Sequence, residues 1–431
     1  MKKTLLLLVS LLALAILVAC GGDVEPEDWE IGLEVEDYIE VVEQNIEDSV
    51  ENTIPITQAN RLTYEDFWYD FEFLVQVLGD NFPFFGVIER RYRLSNPLET
   101  FRNHGLPDDA DTLHLTFPGR IRTGFRMFGN IAHLDLNPPH HWRSSPLSHM
   151  SYYAGGTLPM SRAFNPPLQT SSRIIEEGRI ALIMTPPEFF NNERVPPRAM
   201  QETQDFIREV QGYEHIIIDL RHIGGGWITN FINTFINPNI SETLSFYEFA
   251  FITGGEIAQR THSNLYFARP NNLDLLFFRD VATSLVPADL FVEQHNLINM
   301  NADDLENLDY GFLLETYIRP VSGSLRLPLL ADNIWLLIGS GNWSAAEFAG
   351  RLAKEAGFTL VGQQASGRIG WAGRNYFPLP RTEHIIGMDL FYITDETGRA
   401  MEEFPVEPHY FNRPGMDALG TVLAIIAERS E

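Results

Sequence analysis

The chain of 431 residues is almost without lysine: after Lys2 and Lys3 only Lys354 remains, although arginine is plentiful. Lysine can shed its proton and serve as a general base, whereas arginine holds its proton at any accessible pH. Lysine-based catalysis therefore has one candidate. Cysteine is scarcer still, with Cys20 alone, which excludes an intrachain disulfide and leaves no second thiol for a metal site. Positive charge is short overall. The formal net charge of -27 argues against nucleic acid as a partner and against direct attraction to anionic lipid headgroups. Past the first twenty residues no apolar run is long enough to cross a bilayer.

What is present begins with Lys2, Lys3 and an apolar run from Leu5 to Val18, too short for a comfortable span and without a stop-transfer flank. Residues 1–19 read as a signal peptide. The run ends in Leu17-Val18-Ala19-Cys20, which resembles a lipobox. Cys20 is then the expected lipidation site, and its lipid the expected membrane attachment; an uncleaved anchor is the alternative. Between Gly21 and Asn60 lie thirteen acidic residues and no basic one. Such a block repels itself, so residues 20–60 are expected to form a solvated tether.

Beyond the tether the pattern divides in two. Thr63 and Asp66 form a capping-box variant ahead of Phe67, Phe71, Leu74, Val75 and Leu78 at helical spacing. With a second helical stretch around Leu113 to Ile131, this predicts a small helical domain over residues 61–145. From 146 to 431 short apolar strands alternate with helices: Arg179 to Met184, Ile216 to Leu220, Ile334 to Ile338 and Thr359 to Val361 as strands, with helices over Pro197 to Gln211 and Ser344 to Ala356. That alternation predicts an α/β layered core. A less regular part, about 241–326, reads as an insertion.

Ser344 stands at the mouth of a helix, directly after a buried strand and a glycine-containing turn. A hydroxyl there is exposed at the strand's carboxyl end, beside free helical N–H groups suited to a developing oxyanion. Serine is also among the commonest helix caps, so position alone leaves two readings. Glu347, acidic in the first turn, is expected to orient that helix. His140 and His141 lack a third spaced ligand, so no metal is expected. Gly339 and Gly341 lack the third glycine of a dinucleotide site, and no organic cofactor is expected.

Three segments in order carry a resemblance. Ser-Ala-Ala-Glu at 344–347 followed by VGQQASGRIG from Val361, IIIDLRHIGGG at Ile216 to Gly226, and EEFPVEPHYFNRPGMDAL from Glu402 resemble the motifs of the tail-specific, or C-terminal processing, proteases. His409 and Pro405 stand where that family usually has Asp and Gly. The resemblance implies a core of the crotonase and Clp-protease type and hydrolysis of peptide or protein substrates by a serine nucleophile, Ser344. It implies oxyanion donors from Gly225 or Gly226 and from Ala345. The branch using a Ser-Lys dyad is excluded, since Arg368 occupies the lysine position and Lys354 lies about 15 Å along the helix from Ser344. The similarity is closer to the tricorn-core and retinoid-binding-protein-like branch, which uses a histidine base and an assisting glutamate. His133 is the expected base, with His222 as second choice. Glu402 is carried over as the assisting carboxylate, with Glu403 as its competitor. Too few residues separate Trp142 from Gly178 for the peptide-binding PDZ module that many relatives insert there. The implied activity is that of an exported, membrane-anchored serine peptidase; the rival is an inactive lipoprotein of the same fold that binds peptide or an apolar ligand.

Overall fold

The capping box forms as the sequence requires. Thr63 and Asp66 exchange hydrogen bonds at the head of a helix over Tyr64–Asn81, a device that stabilises a helix end by about 1 kcal/mol. In the computed structural model the described residues are 62–104, 110–129, 131–137, 172–191, 197–226, 228–267, 277–282, 284–321, 333–367 and 374–430. The expected signal peptide, Cys20, the tether, the 145/146 boundary, His140, His141 and Arg368 lie outside them, as does the stretch from 138 to 171 where a PDZ module was not expected.

Helices Phe85–Tyr92, Pro97–His104 and Ala110–Met127 follow the first one. They pack through phenylalanines: Phe67 meets Phe117, and Phe101 meets Phe71, Phe125 and Phe128, at ring-centroid distances of 5.2 to 5.6 Å. The two short helices were not foreseen, because eight residues hold too few turns to show a period. One continuous hydrophobic core joins these helices to the strands that follow.

The central sheet has six strands in the spatial order Tyr410–Phe411, Thr359–Gly362, Asn333–Ile338, His215–Asp219, Ile180–Met184 and Arg173–Glu176. All neighbours are parallel except the last pair. Parallel strands buried on both faces read as unbroken apolar runs, which is why IALIM, HIIID and NIWLLI were legible. Their shared direction places the turns after Asp219, Ile338 and Gly362 at one end of the sheet.

A second sheet is antiparallel, with Leu244–Ile252 and Tyr310–Ile318 paired along nine residues and flanked by Tyr392–Thr394 and Phe277–Val281. Regular strands thus occupy much of the stretch expected to be irregular. Burial explains the difference, since Leu244–Ile252 alternates over only its first half and is buried throughout the second. A third sheet pairs Asp135–Asn137 with Ile385–Asp389, and the latter with Arg374–Pro378.

Candidate active site

Strand Asn333–Ile338 ends in a turn that is tied to both neighbouring turns. Asn342 Oδ1 accepts the Gly339 N–H at 2.7 Å, and its Nδ2 donates to the carbonyls of Leu220 and Ile223 at 2.7 Å each. Trp343 N–H donates to Gly224 O and Ser344 N–H to Gly367 O, both at 3.1 Å. Those restraints hold Ser344 at φ 54°, ψ -124°, outside the regions an L-residue prefers and costing on the order of 1–3 kcal/mol. The result is a sharp strand-to-helix elbow with the serine at its apex. Ser344 occupies the cap position of helix Ala345–Glu355, yet its side chain makes no capping bond. The hydroxyl has no hydrogen-bond partner among the described residues and is not sealed from solvent, although the residue as a whole is 8% exposed.

Gly225 lies against this elbow. A Cβ there would sit 2.8 Å from Ser344 Cβ and 3.1 Å from Trp343 O, so only glycine lets the two turns approach. Gly226, at φ 133°, abuts Phe190 instead: its Cβ would land on the Phe190 carbonyl oxygen. Among the described residues the N–H groups of Gly225 and Ala345 carry no hydrogen bond, whereas Ser344's own N–H is taken by Gly367. Of the three expected donors, Gly225 and Ala345 therefore lie next to the serine with their amides free.

His133 comes from the other side. Ala132 and His133 both adopt left-handed conformations, φ 51° and 46°, an unusual pair for residues with a Cβ. Three bonds from distant segments hold them there. Ala132 N–H donates to Glu402 Oε1 at 2.6 Å, Ala132 O accepts from Asp389 N–H at 2.8 Å, and His133 Nδ1 meets Asp389 Oδ2 at 2.6 Å. A carboxylate only accepts, so Nδ1 carries the proton and Nε2 the lone pair of the neutral ring. The imidazole packs on the Trp343 indole with centroids 5.5 Å apart, one residue from Ser344. Among the described residues no hydrogen bond joins Ser344 Oγ to any imidazole. Arg91 closes the site from the helical side, donating to Glu402 O and, at 3.1 Å, to Ser366 O.

The other candidates sit elsewhere. His222 Nε2 donates to Thr185 O at 3.0 Å, so that nitrogen has no lone pair to offer. His409 Nδ1 accepts the Leu360 N–H at 2.9 Å and stitches the edge strand to the sheet; burial first and then Lys354 lower its pKa. Lys354, close enough to His409 to act on it, belongs to the far end of the helix that Ser344 opens. Glu403 pairs with Arg90 at 2.8 Å. Glu347 is fully buried beneath the elbow, where desolvation raises its pKa against the pull of Arg351, and its Oε1 accepts the Val406 N–H at 2.6 Å. Asp389 and Arg91 were not foreseen. Asp389 closes the apolar run Ile385 to Met388, as Asp219 closes Ile216 to Ile218, and the pattern gives no sign that one faces an imidazole and the other Arg221 at 2.6 Å.

A family model for peptidase family S41 matches residues 183–411. The chain belongs to peptidase family S41. The matched stretch contains Gly225, Ser344, Asp389 and Glu402, while His133 precedes it. No curated protein sequence matches the chain. Among solved structures it is similar to a lipoprotein from Streptococcus agalactiae, at 12% identity over 84% of this chain and 96% of that one, with a TM-score of 0.39. It is also similar to a candidate peptidase from Parabacteroides merdae, at 11% identity over 83% and 95%, TM-score 0.44. The photosystem II D1 C-terminal processing protease matches at 11% identity over 55% of this chain and 43% of its own, TM-score 0.28. The family is one of serine peptidases, which are hydrolases, and its core is the α/β architecture described above, preceded by a helical region.

Proposed function

We propose that this S41 member is an exported, lipid-anchored serine peptidase that cleaves peptide bonds by acyl transfer, with Ser344 as nucleophile and His133 as base. The observation that carries the reading is the Ser344 elbow. A serine in the commonest capping position, held in a costly conformation and contributing nothing to the cap, has its hydroxyl left over for chemistry.

In the proposed reaction Ser344 Oγ adds to the scissile carbonyl while its proton passes to His133 Nε2. The oxyanion is held by the N–H groups of Gly225 and Ala345, aided by the positive end of helix Ala345–Glu355. Collapse expels the amine, which takes the proton from His133. Water then attacks the acyl-enzyme with the same base, releasing the new carboxyl terminus and restoring Ser344. The Cys20 lipid and the acidic tether hold the enzyme at the cell envelope, and its substrates are peptides or proteins met there.

One observation favours a second reading, a peptide-binding lipoprotein without activity: the missing hydrogen bond between Ser344 Oγ and an imidazole. Exposure of the full chain in detergent to a peptide library, wild type beside Ser344→Ala, separates the two. Cleavage by the wild type alone supports the enzyme. Retention of peptides by both forms, with cleavage by neither, supports the binding protein. Incorporation of radiolabelled fatty acid, abolished by Cys20→Ser, tests the anchor.

A further inference from the structure

Two carboxylates converge on the turn that carries His133, and they grip different parts of it. We propose that Asp389 is the positioning residue that fixes the His133 ring as its Nδ1–H tautomer, while Glu402 acts on the backbone of the turn. The inference rests on the peptidase reading above and changes the assisting role that the sequence resemblance implies for Glu402.

Register supplies the first argument. Asp135, Leu136 and Asn137 pair with Gly387, Ile386 and Ile385, which brings Asp389, two residues beyond that ladder on the same strand, up to the turn at Ala132 and His133. The turn at Ala132 and His133 breaks the ladder there, so the Asp389 N–H bonds to Ala132 O, one residue out of that register, while Oδ2 of the same residue meets His133 Nδ1 at 2.6 Å. One residue of a paired strand therefore fixes both the backbone and the ring, an arrangement far stiffer than a side chain reaching in from a loop.

Burial supplies the second. The side chains of His133 and Asp389 are 5% and 1% exposed, and Asp389 Oδ1 has no hydrogen-bond partner among the described residues. Other deeply buried aspartates are differently served. Asp70 accepts the N–H groups of Arg381 and Thr382, and Asp304 meets Arg90 and the Tyr392 hydroxyl. Asp389 has the imidazole as its one side-chain partner among the described residues. Burying a charge so thinly compensated costs stability, and orienting a base that becomes cationic during the reaction is a role that repays it. Glu402 meets the turn otherwise: Oε1 takes the Ala132 N–H, and Oε2 lies by Gly367, where a Cβ would come within 2.9 Å.

Fluorophosphonate labelling and proton NMR on the full-length protein test the division of roles. The wild type is expected to show a far-downfield exchangeable proton from His133 Nδ1–H, assigned by its loss in His133→Gln. Asp389→Asn should abolish that signal and slow labelling about 10³- to 10⁴-fold, with a melting temperature within a few degrees of the wild type. Glu402→Gln should keep the signal and slow labelling less than Asp389→Asn does, because its bond is to the Ala132 N–H and not to the ring. Persistence of the signal in Asp389→Asn, its loss in Glu402→Gln instead, or undiminished labelling of Asp389→Asn overturns the proposal. Failure of the wild type to label at all defeats the peptidase reading, and the NMR signal then still decides which carboxylate holds the ring.

Discussion

The turn at Ser344 and the turn at His133 solve the same problem by different means. Each forces residues with a Cβ to positive φ. The serine turn is held chiefly by backbone: amides donate to Gly224 O and Gly367 O, Asn342 bridges three main-chain groups, and Gly225 lets the turns touch. The histidine turn is held by acidic residues 256 and 270 positions away in the chain. A backbone-held turn is written locally in glycines and small residues. A carboxylate-held turn depends on two particular side chains that lie far off in sequence, and it is the more easily unmade by single substitutions that leave the core intact.

The largest effect that would sharpen this contrast is expected at Gly225. A methyl group 2.8 Å from Ser344 Cβ pushes the elbow and its amides apart, so Gly225→Ala should lower kcat/KM at least 10²- to 10³-fold, as loss of an oxyanion donor does. Retention of more than a tenth of the activity would show that the glycine only shapes a turn.

Arg91 is the next test, because it spans both turns through Glu402 O and Ser366 O. Arg91→Met keeps the stem and removes the donors. About tenfold lower kcat with little change in KM is expected, together with a stability loss of about 1–3 kcal/mol measured by urea unfolding. A change in KM alone would place Arg91 in substrate binding and break the comparison.

The smallest effect is a pH dependence that enters through the histidine side. His384 directly precedes the strand that delivers Asp389, and burial first, then Arg122, lowers its pKa to about 4. The folded protein favours the neutral ring, so the unfolded chain binds more protons between about 4 and 6.5. Stability from this group is full above about 6.5 and is lost as pH falls through about 4. Asp70 and Glu347, both raised by burial, contribute in the opposite direction. The melting temperature of the wild type should fall by a few degrees from pH 6.5 to 4, and His384→Phe should flatten that slope. An unchanged slope in the variant would remove His384 as the cause.

Legibility in the sequence followed the same divide. The parallel strands were readable because burial on both faces leaves an uninterrupted apolar run, and the Thr63 capping box because its chemistry is complete within four residues. Ser344 and Gly225 were readable because both belong to short local motifs. Asp389 was not, because its identity as the partner of His133 depends on the Asp135–Asn137 ladder, a pairing across about 250 residues that no local pattern encodes. Arg91 was hidden for a related reason, since its partners are main-chain carbonyls, which every residue has. The strand over Leu244–Ile252 escaped because full burial of its second half removed the alternation there, while Tyr310–Ile318 keeps an alternating burial that its apolar and aromatic residues do not display in sequence.

The central claim is that one serine is activated by one histidine contributed from the helical side. Peptide mapping of the protein after reaction with a fluorophosphonate, with the adduct's rate of formation followed in the wild type and in His133→Ala, tests it most directly. The account predicts a single adduct on Ser344 that forms at least 10³-fold more slowly in the variant. An adduct on another residue, or equal rates in the two proteins, would contradict it.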